Sequence, residues 1–160
     1  MNLWLLGVWF AGEGHPEIAE RLAAEMESYI PGRHEREARM LSKALRAHAA
    51  LARGEGSEGT RILLDLEPTA PLWGYFWEFH EALAPERVRL ARALFSEGEY
   101  SEAIRVASLM DHPSPVTYLA YLAPSLAIRL RCAEALGRAD LVAQYRRRLL
   151  GLGWEEAEVP

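Results

Sequence analysis

Glycines recur through the chain at nearly even spacing, and each follows a stretch of helix-forming residues. Gly14, Gly54, Gly98 and Gly137 are separated by 40, 44 and 39 residues. Glycine is common just beyond a helix, because it adopts the left-handed conformation that ends a helix without strain. A glycine turn at this interval leaves room for two helices in each unit. The sequence therefore predicts a repeating array of helix pairs.

The stretches between these turns have a helical pattern. They are rich in Ala, Leu, Arg and Glu, and apolar residues recur three and four positions apart, as at Ile18, Leu22 and Met26. Alternating β-branched runs, which would indicate strands, are nearly absent. We therefore predict an all-α fold. The expected helices span residues 3–11, 16–29, 35–53, 57–66, 85–96, 101–110, 117–136 and 139–150.

Two of the units also share an ordered pattern of large and small side chains. In the first unit the pattern is Leu3, Leu6, Gly7, Phe10, Gly14, Ala19, Ala23, Met26 and Pro31. In the third it is Leu90, Ala91, Leu94, Gly98, Tyr100, Ala103, Ala107, Met110 and Pro115. The second and fourth units follow it more loosely. Small residues at such positions let two helices approach to about 8–10 Å, and large residues from the next pair fill the remaining gaps.

This pattern resembles the tetratricopeptide repeat (TPR), although the unit is longer than the family's usual length of about 34 residues. It is similar to the longer helical repeats in sensor regions of bacterial transcription regulators and in regions fused to bacterial Ser/Thr kinases. The resemblance implies an α-solenoid of about four antiparallel helix pairs in a right-handed superhelix. We expect one domain, residues 1–160, with units at about 1–33, 34–71, 84–116 and 117–153.

The segment 72–83 does not fit the repeat. It contains five aromatic residues within seven positions, namely Trp73, Tyr75, Phe76, Trp77 and Phe79. Two interpretations are open. The segment is either an inserted helix that packs its aromatic rings onto the second and third units, or an exposed anchor for a partner.

Composition argues against several classes of function. The formal net charge of −5 is unfavourable for nucleic-acid binding, which requires a clustered basic surface. The chain has one cysteine, and its histidines lack metal-ligand spacing, so we expect neither metal nor cofactor. No nucleophile motif such as G-x-S-x-G occurs, so we do not expect an enzyme. The single cysteine is compatible with a cytoplasmic location.

The apolar start of the chain, MNLWLLGVWFAG, is too short to span a bilayer, which takes about 20 residues, and it lacks a signal-peptide pattern. We expect a buried first helix and no membrane association. Terminal repeats of a solenoid need a polar outer face, whereas Trp4, Leu5, Val8 and Phe10 leave this edge apolar. We therefore expect either a longer parent protein or an edge covered by self-association with another chain.

The resemblance further implies that the first helix of each pair lines a concave groove that binds a protein or peptide. By register, the groove residues would be Trp4, Val8, His48, Val88, Arg89, Arg92, Phe95, Ile128 and Arg131. The three arginines predict an acidic ligand, unless they pair with Glu86, Glu134 or other neighbours. The expected function is a non-catalytic adaptor or scaffold. The alternative is a sensor or regulatory segment of a larger bacterial signalling protein, such as a transcription regulator or kinase.

Overall fold

The computed structural model describes residues 2–28, 35–66, 83–112 and 116–154, and all regular elements in these ranges are helical. The α-helices are α1 Asn2–Gly12, α2 Pro16–Ser28, α3 Glu35–Ala52, α4 Gly56–Leu64, α5 Ala84–Ser96, α6 Tyr100–Ala107, α7 Leu122–Ala135 and α8 Ala139–Gly151. Two 3-10 segments, Ser108–Asp111 and Val116–Tyr121, precede α7. For the part of the chain described, the all-α prediction is confirmed. Residues 72–82 of the aromatic segment lie outside it.

The four repeated glycines end helices as predicted. Gly14, Gly54, Gly98 and Gly137 have φ angles of 85°, 81°, 82° and 67°. After α5, the Gly98 N–H donates to the carbonyl of Phe95 at 3.1 Å, and the Glu99 N–H donates to that of Leu94 at 2.9 Å. These two bonds form the Schellman motif, which satisfies carbonyls that a helix end would leave without partners.

The chain divides into two compact units, Met1–Trp73 and Gly74–Pro160. In the first unit, α1 packs on α2 and α3, α2 packs on α3, and α3 packs on α4. Small residues lie where these helices meet: Ala19 and Ala23 of α2 are fully buried. A Cβ atom added to Gly7 of α1 would lie 2.6 Å from Leu45 Cδ2 of α3, so a larger residue here would force the Leu45 side chain to shift.

The second unit has the same order of contacts. Helix α5 packs on α6 and α7, α6 packs on α7, and α7 packs on α8. Ala103 and Ala107 of α6 are fully buried. The contact between α7 and α8 contains an apolar cluster formed by Leu126, Leu130, Ala133, Tyr145 and Leu149.

A charge network around the buried Arg129 also joins the elements of the second unit. Asp111, at the end of the first 3-10 segment, accepts two hydrogen bonds from Arg129 of α7, at 2.7 and 2.9 Å. It accepts two more from Arg148 of α8, at 3.0 and 2.6 Å. Arg129 is only 1% exposed, so this pairing is what allows its charge inside the unit.

Candidate ligand-binding groove

The second unit contains a groove of about 450 Å³, which we call the α5–α7 groove. Among the described residues, helix α5 contributes Arg92, Phe95 and Ser96 to the lining, helix α7 contributes Pro124, Ala127, Ile128 and Arg131, and Trp154 also lines the groove. On each helix these residues are spaced three and four apart, so they share one face. The walls are mainly apolar, and the two arginines supply the charge.

Trp154 reaches the groove through a fifth helix-ending glycine. Gly153 has a φ angle of 87°, and the Trp154 N–H donates to the carbonyl of Leu149 at 3.3 Å. The residue after such a glycine commonly makes an apolar contact with the last turn of the helix. Trp154 accordingly packs against the apolar cluster of α7 and α8. Sequence reasoning missed this residue, although a tryptophan directly after a glycine turn is a usable signal.

The charge of the groove is not neutralised within the described part of the chain. There, no carboxylate forms an ion pair with Arg89, Arg92 or Arg131. Glu134, a neighbour that could have neutralised the cluster, pairs with Arg146 instead, at 3.6 Å. The groove therefore presents two guanidinium groups, which have no carboxylate partner among the described residues, beside its apolar walls.

One contact and one electrostatic effect involve the arginines of this region. The Arg131 guanidinium carbon lies 5.3 Å from the centroid of the Phe95 ring, a cation–π geometry that holds the side chain against α5. Arg89 does not line the groove, but burial and, secondarily, the positive charge of Arg92 lower the pKa of its guanidinium. Arg89 and Arg92 thus place two positive charges three positions apart on α5.

The structure places the nine predicted site residues in different surroundings. Arg92, Phe95, Ile128 and Arg131 line the α5–α7 groove together. Val88 is buried and Arg89 is half-buried, both outside the groove lining. The first unit holds the other three, of which Trp4 is fully buried, His48 is buried and Val8 is partly buried.

The burial of Trp4 and His48 has a physical cause. The small residues between α1, α2 and α3 bring these helices close together, and side chains that face the contact are enclosed. Neither Trp4 nor His48 therefore presents an open surface to a partner. The exposed apolar residues of α1 are instead Leu5, Leu6 and Trp9. Self-association through this helix stays a prediction.

The described residues offer little for metal or thiol chemistry. Among them, no group of three or more His, Cys, Asp and Glu side chains is arranged to hold a metal ion. Cys132 of α7 is buried, and burial raises the pKa of its thiol to about 11. The thiol is therefore protonated near neutral pH and is a poor nucleophile.

No protein-family model, curated protein or solved structure matches the chain. Within the described ranges, no helix combines the length and apolar character needed to cross a bilayer.

Proposed function

We propose that the chain is a TPR-like helical-repeat module of the α-solenoid type that binds a protein or peptide without catalysing a reaction. The observation that carries the proposal is the pair Arg92 and Arg131, which line an apolar groove and lack carboxylate partners among the described residues. The repeat assignment is supported by the glycine turns and by the same order of helix contacts in both units.

The lining of the groove favours an acidic ligand with an apolar anchor. An arginine guanidinium can hold a carboxylate with two parallel hydrogen bonds. Phe95, Ile128 and Trp154 provide apolar contact area next to these charges. Apolar walls exclude water and so strengthen a charged contact. A segment with a glutamate or aspartate close to a large apolar residue would satisfy both features of the groove.

The same lining supports binding rather than catalysis. Among the described lining residues, Ser96 carries the one hydroxyl, and it donates a hydrogen bond to the Arg92 carbonyl at 3.1 Å. Activating a serine requires a neighbouring general base, and the described lining residues include neither histidine nor carboxylate. These residues therefore supply the groups needed to hold a carboxylate but no base that could activate Ser96.

The proposal can be tested by fluorescence anisotropy with a short labelled peptide in which glutamates flank a phenylalanine. We expect Arg92→Glu to weaken binding at least about tenfold, since a charge-assisted contact contributes about 1.5–3 kcal/mol and about 1.4 kcal/mol is tenfold. Arg147→Glu is the matched control, because Arg147 is exposed on α8 and does not line the groove. Equal loss in both variants would overturn the proposal.

A further inference from the structure

An acidic sequence follows directly after the last residue of the α5–α7 groove. Residues 155–160 read EEAEVP, with three glutamates, Glu155, Glu156 and Glu158, and an aliphatic residue, Val159. Carboxylates close to an aliphatic side chain are the ligand chemistry that the groove favours. The chain therefore carries a segment of matching composition next to its own groove.

The position of Trp154 makes an intramolecular contact sterically feasible. Trp154 lines the groove together with Arg92 and Arg131, so the chain leaves the described region at the groove itself. Extended backbone spans about 3.3–3.6 Å per residue, so three further residues cover about 10 Å. The glutamates thus need no long connection to reach guanidinium groups that line the same groove.

We propose that residues 155–160, here called the acidic segment, bind the α5–α7 groove of their own chain and compete with external ligands. The proposal rests on the ligand chemistry proposed above for this groove. Its basis is charge complementarity between the glutamates and Arg92 and Arg131, which have no carboxylate partner among the described residues. A segment tethered by a short linker has an effective concentration on the order of millimolar, so even weak affinity gives substantial occupancy.

This competition would set the requirements for a partner. The apparent affinity of an external ligand falls in proportion to the fraction of molecules with an open groove. A partner must therefore bind the groove more tightly than the acidic segment does, either through more carboxylates or through a larger apolar anchor. A larger anchor would gain apolar contact area with the aromatic and aliphatic walls of the groove, which include Phe95 and Trp154.

The test uses the full chain and a labelled synthetic peptide of sequence EEAEVP with blocked ends as the probe. In the test variant, Glu155→Gln, Glu156→Gln and Glu158→Gln neutralise the acidic segment while keeping its length. The control variant carries Glu13→Gln, Glu17→Gln and Glu25→Gln, which make the same change in net charge at exposed positions of the first unit. Anisotropy gives the dissociation constant of the probe for each protein.

We expect the neutralised variant to bind the probe at least about fivefold more tightly than the unchanged protein, and the control variant to bind like the unchanged protein. Adding Arg92→Glu to the neutralised variant should abolish that binding. If the unchanged and neutralised proteins bind the probe equally and in an Arg92-dependent manner, the inference fails and the proposed function stands. If neither protein binds the probe or the phenylalanine-containing peptide, both fail.

A second measurement needs no probe. In protein labelled with ¹⁵N-arginine, the Nε–H resonances of Arg92 and Arg131 should shift between the unchanged and neutralised proteins, while that of Arg138, which pairs with Asp140, should not. Unshifted resonances of Arg92 and Arg131 would overturn the proposal whatever the peptide titration gives.

Discussion

Asp111 pairs with two arginines of the second unit, the buried Arg129 and the partly exposed Arg148. Burial raises the pKa of its carboxyl group, but hydrogen bonds from Arg129 and Arg148, together with their positive charges, outweigh that effect. The pKa therefore lies well below its usual value. Arg129 also lies 5.2 Å from the centroid of the Tyr145 ring, and its Nη2 donates to Ser125 Oγ at 3.2 Å.

Removing the charge of Asp111 should destabilise the fold. Asp111→Asn leaves the buried Arg129 without its counter-ion, and breaking a buried pair costs about 3–5 kcal/mol. Because the Asp111 side chain is 37% exposed, solvent compensates part of the loss, and we expect a decrease of about 2–3 kcal/mol in the free energy of unfolding. Urea denaturation followed by circular dichroism measures it. The control is Glu102→Gln, which removes an exposed ion pair with Arg105 and should have a far smaller effect. Equal effects of the two substitutions would contradict this account.

The Asp111 carboxylate should also make the free energy of unfolding depend on pH. Its pKa is lower in the folded state than in the unfolded state, where an aspartate titrates near about 3.9. The folded state therefore binds fewer protons, and the contribution of Asp111 is complete above about pH 5 and declines as the pH falls below about 4. Melting temperatures measured from pH 7 to pH 3 should decrease less in Asp111→Asn than in the unchanged protein. Parallel curves would show that Asp111 does not supply this dependence.

This network could not be read from the sequence. Arg129 and Arg148 lie 18 and 37 positions from Asp111, and no local spacing rule connects residues so far apart. The adjacent run Arg146, Arg147 and Arg148 is typical of a solvated helix end, yet helix α8 turns Arg148 inward towards Asp111. Arg146 pairs with Glu134 and Arg148 with Asp111, and the partner that each member of such a run meets depends on tertiary packing.

At the scale of elements, glycines have two structural roles: they end helices, and they allow helices to approach closely. Some end helices, where their left-handed conformation is required. Gly59 instead lies inside α4, where a Cβ atom would collide with Leu51 Cγ and lie 3.3 Å from the carbonyl oxygen of Ala47. The close approach of α3 and α4 therefore depends on the missing side chain.

We expect Gly59→Ala to destabilise the protein even though alanine favours helices. The gain in helix propensity is about 1 kcal/mol, whereas overpacking a close contact costs about 1–3 kcal/mol. The net loss should be near 1 kcal/mol, measurable as a lower melting temperature. Gly12→Ala is the matched control, since a Cβ atom at this last position of α1 would meet nothing within 4 Å. That substitution should be neutral or stabilising, and a stabilising Gly59→Ala would refute the packing argument.

The elements were largely predictable because their signals are local. Apolar spacing located the helices, and glycines located most of their ends to within a few residues. The 3-10 segments were not predicted: the expected helix 101–110 is α6 followed by Ser108–Asp111, and the expected helix 117–136 begins as the 3-10 segment Val116–Tyr121. A side-chain pattern with three- and four-residue spacings does not distinguish these two helical geometries.

At the scale of the whole molecule, register predicted which residues share a helix face but not whether that face is covered. Arg92, Phe95, Ile128 and Arg131 belong to two helices that pack on each other, and they line one groove as residues of one face should. The same register predicts that Trp4 lies on an open surface, but it is fully buried between neighbouring helices. Whether a helix face is covered depends on contacts between segments that are distant in the chain, and a single sequence does not reveal those contacts.

The central claim is that Arg92 and Arg131 of the α5–α7 groove select an acidic ligand. Exchanging charges between the protein and the ligand tests this claim most directly. Two labelled peptides would differ only in carrying glutamates or lysines around the same phenylalanine. The unchanged protein should bind the glutamate peptide, and binding should weaken as salt increases, because exposed charges are screened. The double variant Arg92→Glu, Arg131→Glu should no longer bind the glutamate peptide and should bind the lysine peptide instead. A variant that still binds the glutamate peptide as tightly as the unchanged protein would contradict the claim.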